Sequence, residues 1–141
     1  MNLIILLTIP IWFYLAWYDI KYMIVPDKWL LSLVLPLLLF YLVTDSHNLV
    51  IHIVSLLLMG GSFLGLHFVS KGKLGLGDVK LVALMAGFLN VYQDFILLFC
   101  ASLSGLIVSM FYLAKKERNK AIPFAPFLSI GWIVAIFLTL P

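Results

Sequence analysis

Long apolar stretches, separated by short polar connections, run through almost the whole of this 141-residue chain. A helix needs about 20 apolar residues to cross a bilayer, at about 1.5 Å of rise per residue. Charged residues make up only 11% of the chain, whereas about 25% is usual in a soluble domain. Polar groups therefore could not cover a water-exposed surface. We expect a single domain over residues 1–141, folded as an all-α polytopic membrane helix bundle.

Six apolar segments are predicted, and the fourth of them is too short to cross a membrane alone. An eleven-residue segment reaches only about 17 Å, so the loops beside it must dip towards the membrane or be buried in protein. The first segment lacks the basic start and the cleavage site of a removable signal. The segments cover residues 3–18, 29–43, 49–69, 79–89, 95–114 and 122–140.

The distribution of charge predicts how these segments are oriented. Eight of the nine Lys and Arg residues fall in the connections after the first, third and fifth segments, and the ninth, Lys80, is the second residue of the fourth segment. Basic connections stay on the cytoplasmic side, so we expect a multi-pass protein of the inner membrane with both termini outside. The net charge of +3 is then a signal of orientation, and no nucleic-acid partner is expected because no soluble readout face exists. Asp45 and Asp94 fall in the outer connections, where Asp is an ordinary turn or cap residue.

Two aspartates, Asp19 and Asp78, interrupt the apolar pattern on the predicted cytoplasmic side. An even number of spans separates them, so both return to the same side at a similar depth. Two facing carboxylates can share one proton and split an amide with water, one as base and the other as acid. From the helix ends we predict that Asp19 is protonated and Asp78 is the base. The alternative for Asp19 is an ion pair with Lys21 or Lys28 near the membrane surface.

Two glycines precede the second aspartate in the stretch GLGD. By its position alone, Asp78 would be the N-cap of the fourth segment, where Asp is favoured, and this is the structural alternative to a catalytic role. Gly75 and Gly77 would let the backbone before it take a positive φ and approach another segment closely. Asp27 is likewise predicted to be the N-cap of the second segment.

Other residue types predict packing. Four tryptophans fit an aromatic belt at the membrane interfaces, although Trp12 is more central in its segment than the other three. Two sets of small residues at four-residue spacing favour close helix contacts. The single cysteine, Cys100, excludes a disulfide framework, and no spacing of His, Cys or Glu predicts a metal site. The tryptophans are Trp12, Trp17, Trp29 and Trp132; the small residues are Gly61 with Gly65, and Ala101 with Gly105 and Ser109.

Three motifs in this chain resemble those of the type IV prepilin peptidases, a family of GxGD membrane aspartyl proteases. They are DIKYMIVPD at 19–27, GLGDVKL at 75–81 and IPFAPFLSIG at 122–131, and they occur in the family's order. The resemblance implies that Asp19 and Asp78 are the catalytic pair and that no cofactor is needed. It places Gly75, Gly77 and Lys80 in an active-site loop. Candidate substrate contacts are Lys21, Asp27, Pro123, Phe124 and Pro126.

The resemblance also implies an activity and its partners. The expected reaction is removal of the short leader of a prepilin-like or pseudopilin-like protein at the cytoplasmic face, after a Gly that precedes an apolar helix. The lipid bilayer is the other partner. Whether the protein also forms a homo-oligomer is left open. Bifunctional members carry an additional cysteine-rich N-terminal region associated with N-methylation. Because Asp19 follows the first segment directly, we expect a peptidase without methyltransferase activity.

Two other readings of the aspartates stay open. Presenilin-like intramembrane proteases share the Tyr18-Asp19 and GLGD elements, but their Pro-Ala-Leu sequence is absent here. A different class is a non-enzymatic, proton-coupled transporter or channel subunit in which the two carboxylates relay protons. That class favours helices broken near the midplane and repeated halves, and no convincing repeat occurs in this sequence.

Overall fold

Six α-helices make up the computed structural model, which describes residues 3–72, 74–115 and 122–138. Each predicted apolar segment forms one helix, so the prediction of an all-α membrane bundle is confirmed. Within the described residues, three helices are long and apolar enough to cross a membrane: α1, α3 and α5. The helices are α1 (Leu3–Tyr22), α2 (Asp27–Val43), α3 (Ser46–Val69), α4 (Leu76–Gly87), α5 (Val91–Ala114) and α6 (Ala125–Leu138).

The fourth helix is short, as predicted, and it packs inside the bundle. Its 12 residues reach only about 18 Å, so it does not span the membrane by itself. It lies mainly against α3, and also contacts α2 and α6. Leu81, Val82, Met85 and Ala86 are fully buried along it. The protein burial of α4 removes the need for its own ends to reach either membrane surface.

The end of α1 differs from the sequence prediction. The apolar pattern continues beyond residue 18 as far as Val25, which predicts a helix that runs until Pro26 stops it, but α1 ends at Tyr22. Met23 takes a left-handed backbone with a φ of 54°, while its amide still donates to the carbonyl of Asp19 at 2.8 Å. A left-handed residue of this kind terminates a helix, so residues 23–26 form a turn between α1 and α2.

The start of α5 lies four residues earlier than predicted, at Val91. A capping box accounts for the difference. The side chain of Asn90 accepts a hydrogen bond from the amide of Gln93, and the side chain of Gln93 accepts one from the amide of Asn90, both at 2.9 Å. Asp94 therefore lies inside the first turn of a helix and not in a connection.

An aromatic cluster fills the core between α1, α6 and the end of α4. Trp12 and Trp132 have ring centroids 5.4 Å apart, and Phe88 lies 6.5 Å and 6.4 Å from them. Both indole N–H groups donate hydrogen bonds, as buried tryptophans require. The predicted aromatic belt is therefore wrong for these two tryptophans, which are fully buried, whereas Trp17 and Trp29 are exposed.

Close helix contacts occur at glycines, although at only one of the two predicted places. A Cβ at Gly131 of α6 would overlap the carbonyl oxygen of Leu97 and lie 3.2 Å from the amide nitrogen of Ala101 in α5. The close approach predicted around Ala101 is thus present. At Gly61 and Gly65 the prediction is wrong, because an added Cβ would have no described atom within 4 Å.

Candidate active site

A cleft opens at the end of the bundle where α1 stops and α4 begins. Its volume is about 240 Å³, and we call it the aspartate cleft. The turn after α1 forms one wall and the first turn of α4 forms the other. Its lining residues are Asp19, Met23, Ile24, Val25, Gly75, Gly77 and Asp78. The two aspartates and two glycines predicted from the motifs therefore share one cleft.

Asp19 projects from the last turns of α1 and is only 4% exposed. Its Oδ2 accepts a hydrogen bond from the backbone N–H of Ala125 at 2.9 Å. Ala125 is the first residue of α6, so the positive end of that helix dipole faces the carboxylate. Among the described residues Asp19 forms no ion pair with Lys21 or Lys28, so the alternative of a surface ion pair is wrong.

Asp78 lies in the first turn of α4, two residues after the helix begins at Leu76. The predicted N-cap position is therefore wrong, because the N-cap is Gly75, with an ordinary φ of −64°. The helix starts there because the carbonyl of Gly75 accepts hydrogen bonds from the amides of Asp78 and Val79, at 3.1 Å and 3.3 Å. A Cβ at residue 75 would lie 3.5 Å from Asp78 Oδ2. Because glycine has no Cβ, this side of the carboxyl group stays accessible from the cleft.

Gly77 holds the two walls of the cleft together. A Cβ at this position would lie 3.1 Å from Val25 Cβ and 3.4 Å from the Val25 carbonyl oxygen. Such contacts are tighter than side chains normally make, so only glycine lets the turn approach α4 this closely. The predicted close approach is confirmed, whereas the predicted positive φ of the motif glycines is not found.

The two carboxyl groups influence each other electrostatically. Burial raises the pKa of Asp78 to about 6, and the negative charge of Asp19 adds to the rise. Two like charges in close proximity resist double ionisation, so a single proton on the pair is favoured. The cleft therefore offers one carboxylate and one carboxylic acid at a pH below about 6.

Lys80 and Asp27 meet outside the cleft. Lys80 Nζ donates to Asp27 Oδ1 at 2.7 Å, and both side chains are largely exposed. Asp27 is the first residue of α2 and not its N-cap, which is Pro26. The pair links the start of α2 to α4 but, being exposed, contributes at most about 1 kcal/mol to stability.

The remaining predicted contact residues also lie away from the cleft lining. The Lys21 ammonium lies over the ring of Trp17, at 5.3 Å from its centroid. Pro126 lines a separate surface groove between α1 and α6. Pro123 and Phe124 immediately precede α6, whose first residue donates to Asp19. Their roles in substrate binding stay predictions.

Sequence reasoning missed the residues that form the far wall of the cleft. Met23, Ile24 and Val25 line it beside the aspartates. No propensity signal marks Met as a left-handed residue; the nearby Pro26 indicated only that the helix must stop. Over the described residues no group of three or more His, Cys, Asp or Glu side chains could hold a metal ion.

The left-handed Met23 gives a testable effect on stability. This conformation costs a residue with a Cβ about 1–2 kcal/mol, and glycine avoids that cost. We expect Met23→Gly to raise the thermal unfolding temperature in detergent, despite the greater freedom of glycine in the unfolded chain. Met110→Gly, in the exposed interior of α5, is the control and should lose about 1 kcal/mol. Equal losses in both variants would contradict the strain at Met23.

The fold and the aspartate cleft define a polytopic helical membrane protein with paired carboxyl groups at one end of its bundle. The chain belongs to the type IV leader peptidase family, whose model matches residues 6–110. The matched region includes both aspartates of the cleft. The family resemblance seen in the motifs is therefore confirmed.

Two curated relatives carry the name prepilin leader peptidase/N-methyltransferase. The protein from Legionella pneumophila is 34% identical over an alignment 143 residues long. This alignment covers 94% of this chain and 48% of the relative. The protein from Pectobacterium carotovorum subsp. carotovorum is 33% identical over 129 residues, which cover 85% of this chain and 46% of the relative. The chain thus spans about half the length of these relatives. No solved structure matches it.

Proposed function

We propose that this protein is an aspartic-type endopeptidase that removes the leader of prepilin-like substrates at the cytoplasmic face of the inner membrane. The observation that carries the proposal is the shared cleft of Asp19 and Asp78. The names of the two relatives support the substrate class. The basic connections next to the cleft support its cytoplasmic orientation, with the N-terminus and the C-terminus outside.

The surroundings of the two carboxyl groups favour different roles for them. The Ala125 N–H and the positive end of α6 stabilise an ionised Asp19. The raised pKa of Asp78 favours the protonated form at that position. We therefore assign Asp19 as the base and Asp78 as the acid, the reverse of the expectation from helix ends. That expectation did not include the N-terminus of α6.

In this mechanism the pair acts on water and on the scissile amide together. Asp19 takes a proton from the attacking water, while Asp78 donates a hydrogen bond to the carbonyl oxygen of the cleaved bond. The proton is then delivered to the leaving amine. A glycine before the cleaved bond suits a cleft of about 240 Å³, because a backbone without a side chain can approach both carboxyl groups.

The role of Asp78 predicts the pH dependence of cleavage. An acid must hold its proton, and Asp78 loses that proton as the pH rises through about 6. We expect kcat/KM, measured for the purified enzyme, to fall on the alkaline side of a transition near that pH, by up to about tenfold per pH unit. A profile that is flat between pH 5 and pH 8 would contradict this assignment of the acid.

The proposed activity can be tested by co-expression with candidate prepilins. We expect a faster-migrating product on gels, and its mass should place the cut after a Gly directly before the apolar helix. The same mass reports any methyl group on the new N-terminus. If no candidate is cleaved and vesicles containing the protein take up protons instead, a proton-coupled transporter or channel subunit replaces the peptidase as the proposed function.

A further inference from the structure

A second groove lies between α3 and α5, and we call it the α3–α5 groove. It is formed by residues 58–66 of α3 and 91–98 of α5, with a volume of about 290 Å³. Its lining is apolar except at Ser62 and Asp94. The outward sides of Leu58 and Phe95 are largely exposed, so the groove opens towards the lipid. Nothing in the peptidase mechanism uses it.

Asp94 gives this groove a polar centre. It was predicted to be an ordinary turn or cap residue, but it is buried, at 4% exposure. The hydroxyl of Ser55 lies within hydrogen-bond distance of both Asp94 Oδ2 and the carbonyl oxygen of Ala86, the latter at 3.0 Å, and its single proton is shared between these two acceptors. These contacts fix the side chain against α3 and the end of α4.

The other oxygen of this carboxyl group, Asp94 Oδ1, is buried and has no hydrogen-bond partner within the part of the chain that the structure describes. A buried acceptor left unpaired costs about 1–3 kcal/mol, and native structures satisfy nearly all such atoms. Because Asp94 also lines the α3–α5 groove, a rotation of its side chain would expose this oxygen to an occupant of the groove that supplies the missing donor.

A series of contacts leads from the groove towards the aspartate cleft. Phe63 lines the groove, and its ring packs on Phe124 with centroids 6.3 Å apart. The next residue, Ala125, donates its N–H to Asp19. A segment in the groove that continues past Phe63 towards Phe124 would therefore approach the catalytic pair.

The occupant has to be apolar and must carry a hydrogen-bond donor deep in the membrane. A lipid has donors only in its headgroup, at the surface, whereas a transmembrane helix can place a polar side chain at depth. Resting on the proposed function, we infer that the α3–α5 groove binds the apolar helix that follows the cleaved bond of the substrate. Asp94 Oδ1 accepts a hydrogen bond from a polar side chain of that helix.

The structure also indicates where that side chain lies in the substrate. His67 Nδ1 is 2.5 Å from the carbonyl oxygen of Leu74, so the level of His67 on α3 marks the start of the loop that carries the cleft glycines. Ser55, which holds Asp94, lies twelve residues earlier on the same helix, or about 18 Å away. A parallel substrate helix would cover that length in about twelve residues, so its donor should lie about ten to fourteen residues after the cleaved bond.

Crosslinking tests the location of the substrate helix. The enzyme carries Cys100→Ala and Asp78→Asn, which keeps the substrate uncleaved, and either Ser62→Cys in the groove or Leu31→Cys in the separate groove between α2 and α4. A substrate with one cysteine, moved along its apolar helix, is added with a short bis-maleimide. Ser62 is five residues from His67, so crosslinks should peak about five residues after the cleaved bond.

Two outcomes of this experiment are distinguishable. Crosslinks to Leu31→Cys that equal or exceed those to Ser62→Cys overturn the groove assignment, even if the wild-type enzyme cleaves the same substrate. Failure of the wild-type enzyme to cleave any prepilin-like substrate overturns the proposed function itself. The cleavage assay is therefore run beside each crosslinking series.

Variants at Asp94 test the hydrogen bond separately from the packing of α5. Asp94→Leu should raise KM about fivefold, the effect of one lost hydrogen bond, with little change in kcat. Asp94→Asn keeps an oxygen that can accept the hydrogen bond, so it should raise KM less than Asp94→Leu does. A substrate whose polar side chain at this level is replaced by Leu should show the same increase with wild-type enzyme and no further increase with Asp94→Leu. Additive losses, or equal losses for every substrate, would show a purely structural role and overturn the inference.

Discussion

Asp78→Asn and Asp19→Asn are each expected to lower kcat for leader cleavage by about 10²–10⁴-fold. An amide has nearly the size and shape of the carboxyl group that it replaces, but it cannot exchange a proton with water or with the leaving amine. At position 19 the amide oxygen can still accept the N–H of Ala125, which lies 2.9 Å from the present oxygen. The fold should therefore survive both changes. Initial rates of prepilin cleavage by purified variants measure the effect.

Asp45→Asn is the matched control for this pair. Asp45 is exposed at the N-cap of α3, away from the cleft, so its replacement should leave kcat within about twofold of wild type. The double variant should lose no more than either single variant, because the two carboxyl groups act as a unit. Full activity in Asp78→Asn alone would show that no proton is shared.

Gly131→Ala is expected to destabilise the bundle by about 1–3 kcal/mol. The added methyl group would overlap the carbonyl oxygen of Leu97, and a backbone atom cannot move aside as a flexible side chain can. α5 and α6 must therefore separate. Because α6 also supplies the N–H group to Asp19, we expect slower cleavage together with a lower unfolding temperature in detergent.

The same change at Gly65 provides the comparison. Gly65 is inside α3, and the described residues leave open space around an added Cβ. Alanine favours a helix over glycine by about 1 kcal/mol, so Gly65→Ala should be as stable as wild type or more stable. If Gly131→Ala unfolded at the same temperature as Gly65→Ala, the tight α5–α6 contact would be wrong.

The number and order of the helices could be predicted because apolar segments long enough for a membrane have few other structures available to them. The convergence of Asp19 and Asp78 followed from the even number of spans between them. Hydropathy could not separate core from lipid-facing positions, since both surroundings are apolar. For this reason Trp12 and Trp132 were placed at an interface, whereas they pack against each other.

Contacts between distant helices account for the other errors. The hydrogen bond from Ala125 to Asp19 joins residues that are far apart in the chain, and it changes which aspartate is expected to be charged. Asp94 was assigned to a turn because its partner, Ser55, lies on a different helix. A single sequence does not reveal such pairs, although the Asn90 and Gln93 spacing of a capping box was available.

The bond between Asp19 and the first turn of α6 has a consequence for biogenesis. The ribosome makes Asp19 within the first helix and the amide that stabilises its charge within the last helix that the structure describes. A nascent chain that has inserted only its earlier helices lacks this donor. If the proposed function is correct, we expect hydrolytic competence only after α6 has been made and has packed against α1.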